Sequence, residues 1–213
     1  WLPAAITAET WLGDRVSLDA SDFRYLSYSG RYCDGGDGAN GAAADYRGPE
    51  TCSGIAGADG AAAMLKRLID GVAPSKVTVL GHSLGGLVAA YLVGSDPDWA
   101  RAHIASVLTF DSPLSGVPRM NLEVLALASL VGDACDRGSR SMRDMGDGDT
   151  TVMRTASRAA QTVPFYNFDA TEREGPLWGV REAVPGDRTH LEGETLNLKV
   201  PVLHGEIWDG TVT

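Results

Sequence analysis

A chain of 213 residues is long enough to bury one substantial core and short for two, so it is expected to form a single domain over 1–213. With 44% hydrophobic and 22% charged residues its composition is ordinary for a globular domain, and no apolar run approaches the length of a membrane span. A formal net charge of −10 argues against an extended nucleic-acid surface, which depends on clustered Lys and Arg.

In chain order, Trp1, Leu2, Ile6, Trp11 and Leu12 recur at loosely helical spacing, and 23–28 alternates like a strand. No basic segment followed by an apolar core opens the chain, so any signal peptide is expected to have been removed. Gly, Ala and Asp dominate 30–60, an irregular excursion. Asp34, Asp37 and Asn40 lie there, without the terminal bidentate Glu of an EF-hand, and read as a solvated loop, so no metal is expected. Cys33 and Cys52 bracket this weakly apolar loop, and a disulfide would close it. In that case the protein is secreted or periplasmic; if all three cysteines are reduced thiols, Cys135 included, it is cytoplasmic. Asp59 is placed to cap a helix whose apolar face is Met64, Leu65, Leu68 and Val72, with Gly71 near its end.

Val77-Thr78-Val79-Leu80 is short and β-branched enough for a buried parallel strand, and the Ala-rich apolar run from Gly86 suits a core helix. Between them stands Gly81-His82-Ser83-Leu84-Gly85. A strand that turns into a helix within so few residues strains its central residue and crowds its flanks, which glycines relieve. The turn lifts the Ser83 hydroxyl to the end of the sheet, where the first helical amides, Leu84 foremost, point at any oxyanion formed on attack.

This stretch resembles the nucleophile elbow of the α/β-hydrolases, and Gly-His-Ser-Leu-Gly-Gly resembles its lipase and esterase form. The resemblance implies a mostly parallel central sheet flanked by helices, with a small cap inserted after the strand that follows the elbow. It also implies a cofactor-independent serine hydrolase acting on small-molecule esters or lipids, with transient contact to a lipid interface. In this family a strand ending in His-Gly normally precedes the first helix and supplies one oxyanion amide. None precedes Trp1, so the chain is a fragment lacking that strand or its first donor comes from elsewhere.

Beyond the elbow helix, Asp96-Pro97-Asp98 marks a turn, and 104–110 forms the next apolar strand. Asp111-Ser112-Pro113-Leu114-Ser115-Gly116 resembles the segment of many lipases at which a cap begins. The insertion 116–161 holds an apolar helix over 122–131, either core or a lid lining an acyl pocket, and Asp144, Asp147 and Asp149 read as a surface turn. Strands are expected over 162–168 and 198–203.

A serine hydroxyl needs a base at neutral pH. Of the four histidines, His82 lies inside the motif, His103 before a strand at the wrong end of the sheet, and His190 in a polar stretch. His204 follows the last strand, where the family keeps its catalytic histidine. For the acid that orients it, Glu174 fits the spacing, and Glu174-Gly175-Pro176-Leu177 resembles the Asp-Gly-x-Val of small bacterial lipases with Glu for Asp. Asp169, nearer the strand end, and Asp111, after the preceding strand, are the alternatives, with Glu172 and Asp187 behind them. The same triad would also serve an acyltransferase or thioesterase, which the sequence does not separate from a hydrolase; the alternative of another class is a noncatalytic domain that kept the fold, against which the intact Ser83 and His204 count.

Overall fold

The computed structural model of the chain describes residues 22–24, 26, 54–58, 60–72, 75–117, 140–146, 150–170, 189 and 191–200. Four parallel strands form its sheet in sequence order: β1 (Val77–His82), β2 (Ile104–Phe110), β3 (Phe165–Ala170) and β4 (Leu196–Val200). Five α-helices accompany them among the described residues: α1 (Ala61–Asp70), α2 (Leu84–Ser95), α3 (Pro97–His103), α4 (Arg140–Met145) and α5 (Thr151–Ala156).

Helix α2 is the centre of the core. Its sequence, Leu-Gly-Gly-Leu-Val-Ala-Ala-Tyr-Leu-Val-Gly-Ser, is apolar on all sides, as a helix enclosed by neighbours must be. It lies on β1 and β2 and is flanked by α1 and α5, and Leu87, Val88, Ala90 and Val93 are completely buried. On α1 the buried stripe is Ala61, Ala62, Leu65 and Ile69, rather than Met64, Leu65, Leu68 and Val72. Ala61 and Ala62, small enough for close packing, take the buried side and Met64 and Leu68 are left at the margin. Its N-cap is Gly60, which makes no side-chain cap bond; Asp59 lies outside the described residues.

The expected turn at Asp96-Pro97-Asp98 is instead the start of α3. Asp96 accepts a hydrogen bond from the Trp99 amide at 3.4 Å, and Pro97 takes the first helical position, where its missing N–H is no loss. Strand β3 begins at Phe165 and runs to Ala170, later than the expected 162–168, because Ala159–Gln161 form a 3-10 turn and Thr162 continues it with an amide bond to the Ala159 carbonyl. Strand β4 ends at Val200, earlier than expected. Of the strand foreseen over 23–28, Phe23, Arg24 and Leu26 are not in a strand, and the others lie outside the described residues.

The stretch 116–161, expected as one cap, is not uniform. The Val117 amide bonds the Met145 carbonyl at 2.8 Å and Val117 bridges to Gly146, drawing the two sides together. Beyond that neck, α5 belongs to the body: Val152, Met153 and Ala156 are buried, and a Cβ on Gly94 of α2 would lie 1.9 Å from the Thr155 carbonyl oxygen. Asp144 is not part of a surface turn either. It sits in α4 and accepts a 2.7 Å hydrogen bond from the amide of buried Ile55. Asp147, Asp149 and the apolar run 122–131 lie outside the described residues.

Candidate active site

The elbow forms as its sequence requires. Ser83 has φ 50° and ψ −125°, a conformation that costs a non-glycine residue roughly 1–3 kcal/mol and persists only where neighbours enforce it. Three enforce it here. The Ser83 amide donates to the Phe110 carbonyl of β2 at 3.0 Å, and the Gly86 amide closes a turn on the Ser83 carbonyl at 3.1 Å. Ser112, completely buried in the turn after β2, lies with Oγ 3.4 Å from the Gly81 carbonyl and 3.2 Å from that of Phe110.

The glycines act unequally. A Cβ on Gly81 would stand 2.6 Å from the Gly86 Cα, and one on Gly86 would stand 2.0 Å from Ser112 Oγ. On Gly85 it would meet nothing within 4 Å among the described residues. The close packing therefore needs Gly81 and Gly86, whereas the pentapeptide pattern names Gly81 and Gly85.

Ser83 occupies the N-cap of α2 yet makes no side-chain cap bond, so its hydroxyl is not spent on the helix. Leu84 is the first helical residue, and an amide there has no intrahelical acceptor. With the helix dipole behind it, that amide suits a developing negative charge.

Register brings two of the five acid candidates, Asp111 and Asp169, to the same end of the sheet. His82 pairs with Phe110 and Phe110 with Phe168, so Ser83, Asp111 and Asp169 follow one another at successive strand ends. Asp111 is buried, with φ 44°. Its amide donates to the Phe168 carbonyl at 2.7 Å and its Oδ1 accepts from the Ala170 amide at 3.3 Å. Asp169 is the penultimate residue of β3, inside the strand rather than after it, and is completely buried. Asn167 donates to its Oδ1 at 2.5 Å, and its Oδ2 has no hydrogen-bond partner among the described residues.

Glu194, just before β4, was not foreseen as notable. Its carboxyl is pushed up to about 7, first by burial and then by the charge of Asp169, against the opposing hydrogen bonds from the Leu191 amide and Asn197. His103 is at the end of α3, its Nδ1 2.8 Å from the Trp99 carbonyl oxygen and its ring stacked on Trp99, at the opposite end of the sheet from Ser83. His204, Glu174, Glu172, Asp187, His190, Cys33 and Cys52 lie outside the described residues, as do Asp34, Asp37 and Asn40. Among the described residues no group of three or more His, Cys, Asp or Glu could hold a metal ion.

Sequence reasoning passed over Ser112, Thr109 and Asn167. A period-two reading would have found the last: Asn167 and Asp169 stand two apart in Phe-Tyr-Asn-Phe-Asp and so share one face of a strand.

The comparisons with known proteins agree with this architecture. Residues 64–160, less than half of the chain, match the PGAP1-like alpha/beta domain. Among solved structures, the metagenomic carboxyl esterase MGS0156 aligns with a TM-score of 0.50 at 18% identity, covering 70% of this chain and 51% of that one. The chain thus spans about half the length of that esterase. The mature lipase BlEst2 of Bacillus licheniformis aligns with a TM-score of 0.48 at 16% identity, covering 70% of this chain and 67% of the lipase. No curated protein sequence matches. A parallel sheet in sequence order, a serine elbow between β1 and α2, the match to the PGAP1-like alpha/beta domain and the likeness to the carboxyl esterase give the chain an α/β-hydrolase fold.

Proposed function

We propose that this chain is a serine hydrolase that cleaves carboxylic esters of apolar acyl groups through an acyl-enzyme on Ser83. The observation that carries the reading is the elbow: a strained serine at the carboxyl end of β1, its hydroxyl uncommitted to capping, beside the first amides of a buried helix. In this reading His204 takes the Ser83 proton as Oγ attacks the ester carbonyl. The Leu84 amide stabilises the oxyanion of the tetrahedral intermediate, and the imidazolium returns its proton to the departing alcohol. Water then repeats the sequence on the acyl-enzyme.

Asp169 is our choice for the triad acid, ahead of Glu174 and Asp111. Two strand spacings separate it from Ser83, roughly 10 Å between backbones, a gap that one imidazole can bridge. It is fully buried with one carboxylate oxygen held and the other open. An unpaired buried carboxylate oxygen is costly, and an imidazole N–H would satisfy it. Asp111, by contrast, stands on the strand next to the elbow with an oxygen already on the Ala170 amide.

Apolar acyl specificity is supported by the composition of the segment Leu122-Glu123-Val124-Leu125-Ala126-Leu127; each acyl methylene buried against apolar side chains contributes about 0.8 kcal/mol. The test is a series of 4-nitrophenyl esters from acetate to palmitate, assayed on the wild type, Ser83→Ala, His204→Ala and Leu125→Asp. Hydrolysis should vanish in the two alanine variants with the fold intact, and kcat/KM should rise with acyl length in the wild type and less so in Leu125→Asp. Near-wild-type activity in Ser83→Ala would end the proposal.

A further inference from the structure

Thr109 and Asn167 have no part in the chemistry described above, yet both are polar and completely buried. They pair in register across β2 and β3, on the face of the sheet where Thr109 Cγ2 lies close to Gly86 of α2. Apolar residues would fill such positions at less desolvation cost, so their hydrogen bonds call for an explanation.

Those bonds run in one direction. Thr109 has one hydroxyl proton, and its nearer acceptor is Asn167 Oδ1 at 2.8 Å, against 3.5 Å to the Tyr166 carbonyl. Asn167 Nδ2 in turn donates to Asp169 Oδ1 at 2.5 Å. The reversed amide would set its oxygen against a carboxylate oxygen, two acceptors without a proton between them. The hydroxyl therefore fixes the amide, and the amide fixes one oxygen of Asp169 while the other stays without a partner among the described residues.

We propose that Thr109 and Asn167 are positioning residues for the reaction, a buried relay that holds the Asp169 carboxylate in the plane in which Oδ2 receives the histidine. This rests on the reading of Asp169 as the triad acid. A strand-end carboxylate held at neither oxygen turns about its side-chain torsions, and the imidazole it orients loses both tautomer and direction. Among the described residues the other charged groups around Asp169 are Glu194, which feels its charge, Lys199, its register partner on β4, and Asp111, bonded to the next residue's amide. None of them donates to Oδ2.

The test compares Thr109→Val, Thr109→Ser, Asn167→Leu and Asp169→Asn in ester hydrolysis across pH, with circular dichroism of each variant. Thr109→Val keeps the methyl beside Gly86 and removes only the donor. It should fold as the wild type and lose up to about tenfold in kcat, the upper end of what one neutral buried hydrogen bond contributes, with KM within about twofold. The acid limb of its kcat/KM profile should move to lower pH, because an imidazolium that has lost its carboxylate gives up its proton more easily. Thr109→Ser should recover most of the lost turnover. If Asn167→Leu does not fold, Thr109→Val decides alone. Wild-type kcat and an unmoved acid limb in Thr109→Val, with Asp169→Asn inactive, overturn the relay and leave the triad reading standing. An active Asp169→Asn overturns both.

Discussion

Replacing Gly86 and Gly85 by alanine, one at a time, separates two glycines that look alike in the sequence. Both are helical residues in the first turn of α2, so each gains roughly the same propensity, about 1 kcal/mol, from a methyl group. The gain cancels in the comparison and leaves only what the methyl meets. At Gly86 it would stand 2.0 Å from Ser112 Oγ, 2.6 Å from Ser112 Cβ and 2.9 Å from Thr109 Cγ2, where carbon atoms need about 3.5–4.0 Å. A serine hydroxyl can rotate, but Ser112 Cβ is fixed to its turn and Thr109 Cγ2 is held by the rotamer that bonds Asn167, so α2 must lift from β2 by about 1 Å. Overpacking of this kind costs about 1–3 kcal/mol, and the rigid neighbours put Gly86→Ala at the upper end. At Gly85 nothing lies within 4 Å among the described residues, and the variant should keep its propensity gain. Urea unfolding should therefore place Gly86→Ala about 3 kcal/mol below Gly85→Ala, roughly 6–12 °C in thermal midpoint for a chain of this size. Esterase activity should fall with it, since lifting α2 moves the Ser83 and Leu84 amides together. Equal midpoints for the two variants, or a more stable Gly86→Ala, would refute the packing argument.

Two further outcomes are expected. Glu194 has a folded-state value of about 7 against an ordinary 4.5, so between those values the folded protein keeps a proton that the unfolded chain has lost. Stability should fall as pH rises through that window, with the full penalty above about 7. Solvent screening of a half-exposed side chain reduces the penalty to about 1–2 kcal/mol. Glu194→Gln should therefore raise the thermal midpoint at about pH 8.5 and leave it unchanged at about pH 4, and an equal effect at both would contradict the assignment. Separately, peptide mapping without reductant should recover Cys33 and Cys52 as one linked species, which would favour an extracytoplasmic location; two free thiols there would remove that argument.

Elements fixed by local pattern were legible in the sequence. The β-branched run before Gly81 and the apolar run after Ser83 became β1 and α2, and Ile104–Phe110 formed a strand with the expected bounds, because a buried parallel strand and an enclosed helix both write continuous hydrophobicity into the chain. Features that depend on neighbours were not. Which stripe α1 buries depends on what packs against it, and periodicity alone favoured the larger side chains Met64 and Leu68 over Ala61, Ala62 and Ile69. That Gly86 rather than Gly85 bears the close contact follows from where Ser112 lies, a residue in another turn. Asp144 looked like part of an acidic surface cluster because its partner, the Ile55 amide, is 89 positions away in the sequence. The turn at Ser83 between β1 and α2 was readable from its pentapeptide, whereas the Thr109, Asn167 and Asp169 ladder needed the register between β2 and β3.

The central claim is that Ser83 is an activated nucleophile. The most direct measurement is mass spectrometry of the folded chain after treatment with a fluorophosphonate, which phosphonylates serines whose hydroxyl is deprotonated by a neighbouring base and whose oxyanion is stabilised. The account predicts a single adduct on the peptide containing Ser83, lost in Ser83→Ala and strongly slowed in His204→Ala. A folded chain that takes up no label, or one labelled at another residue while Ser83 stays unmodified, would contradict it.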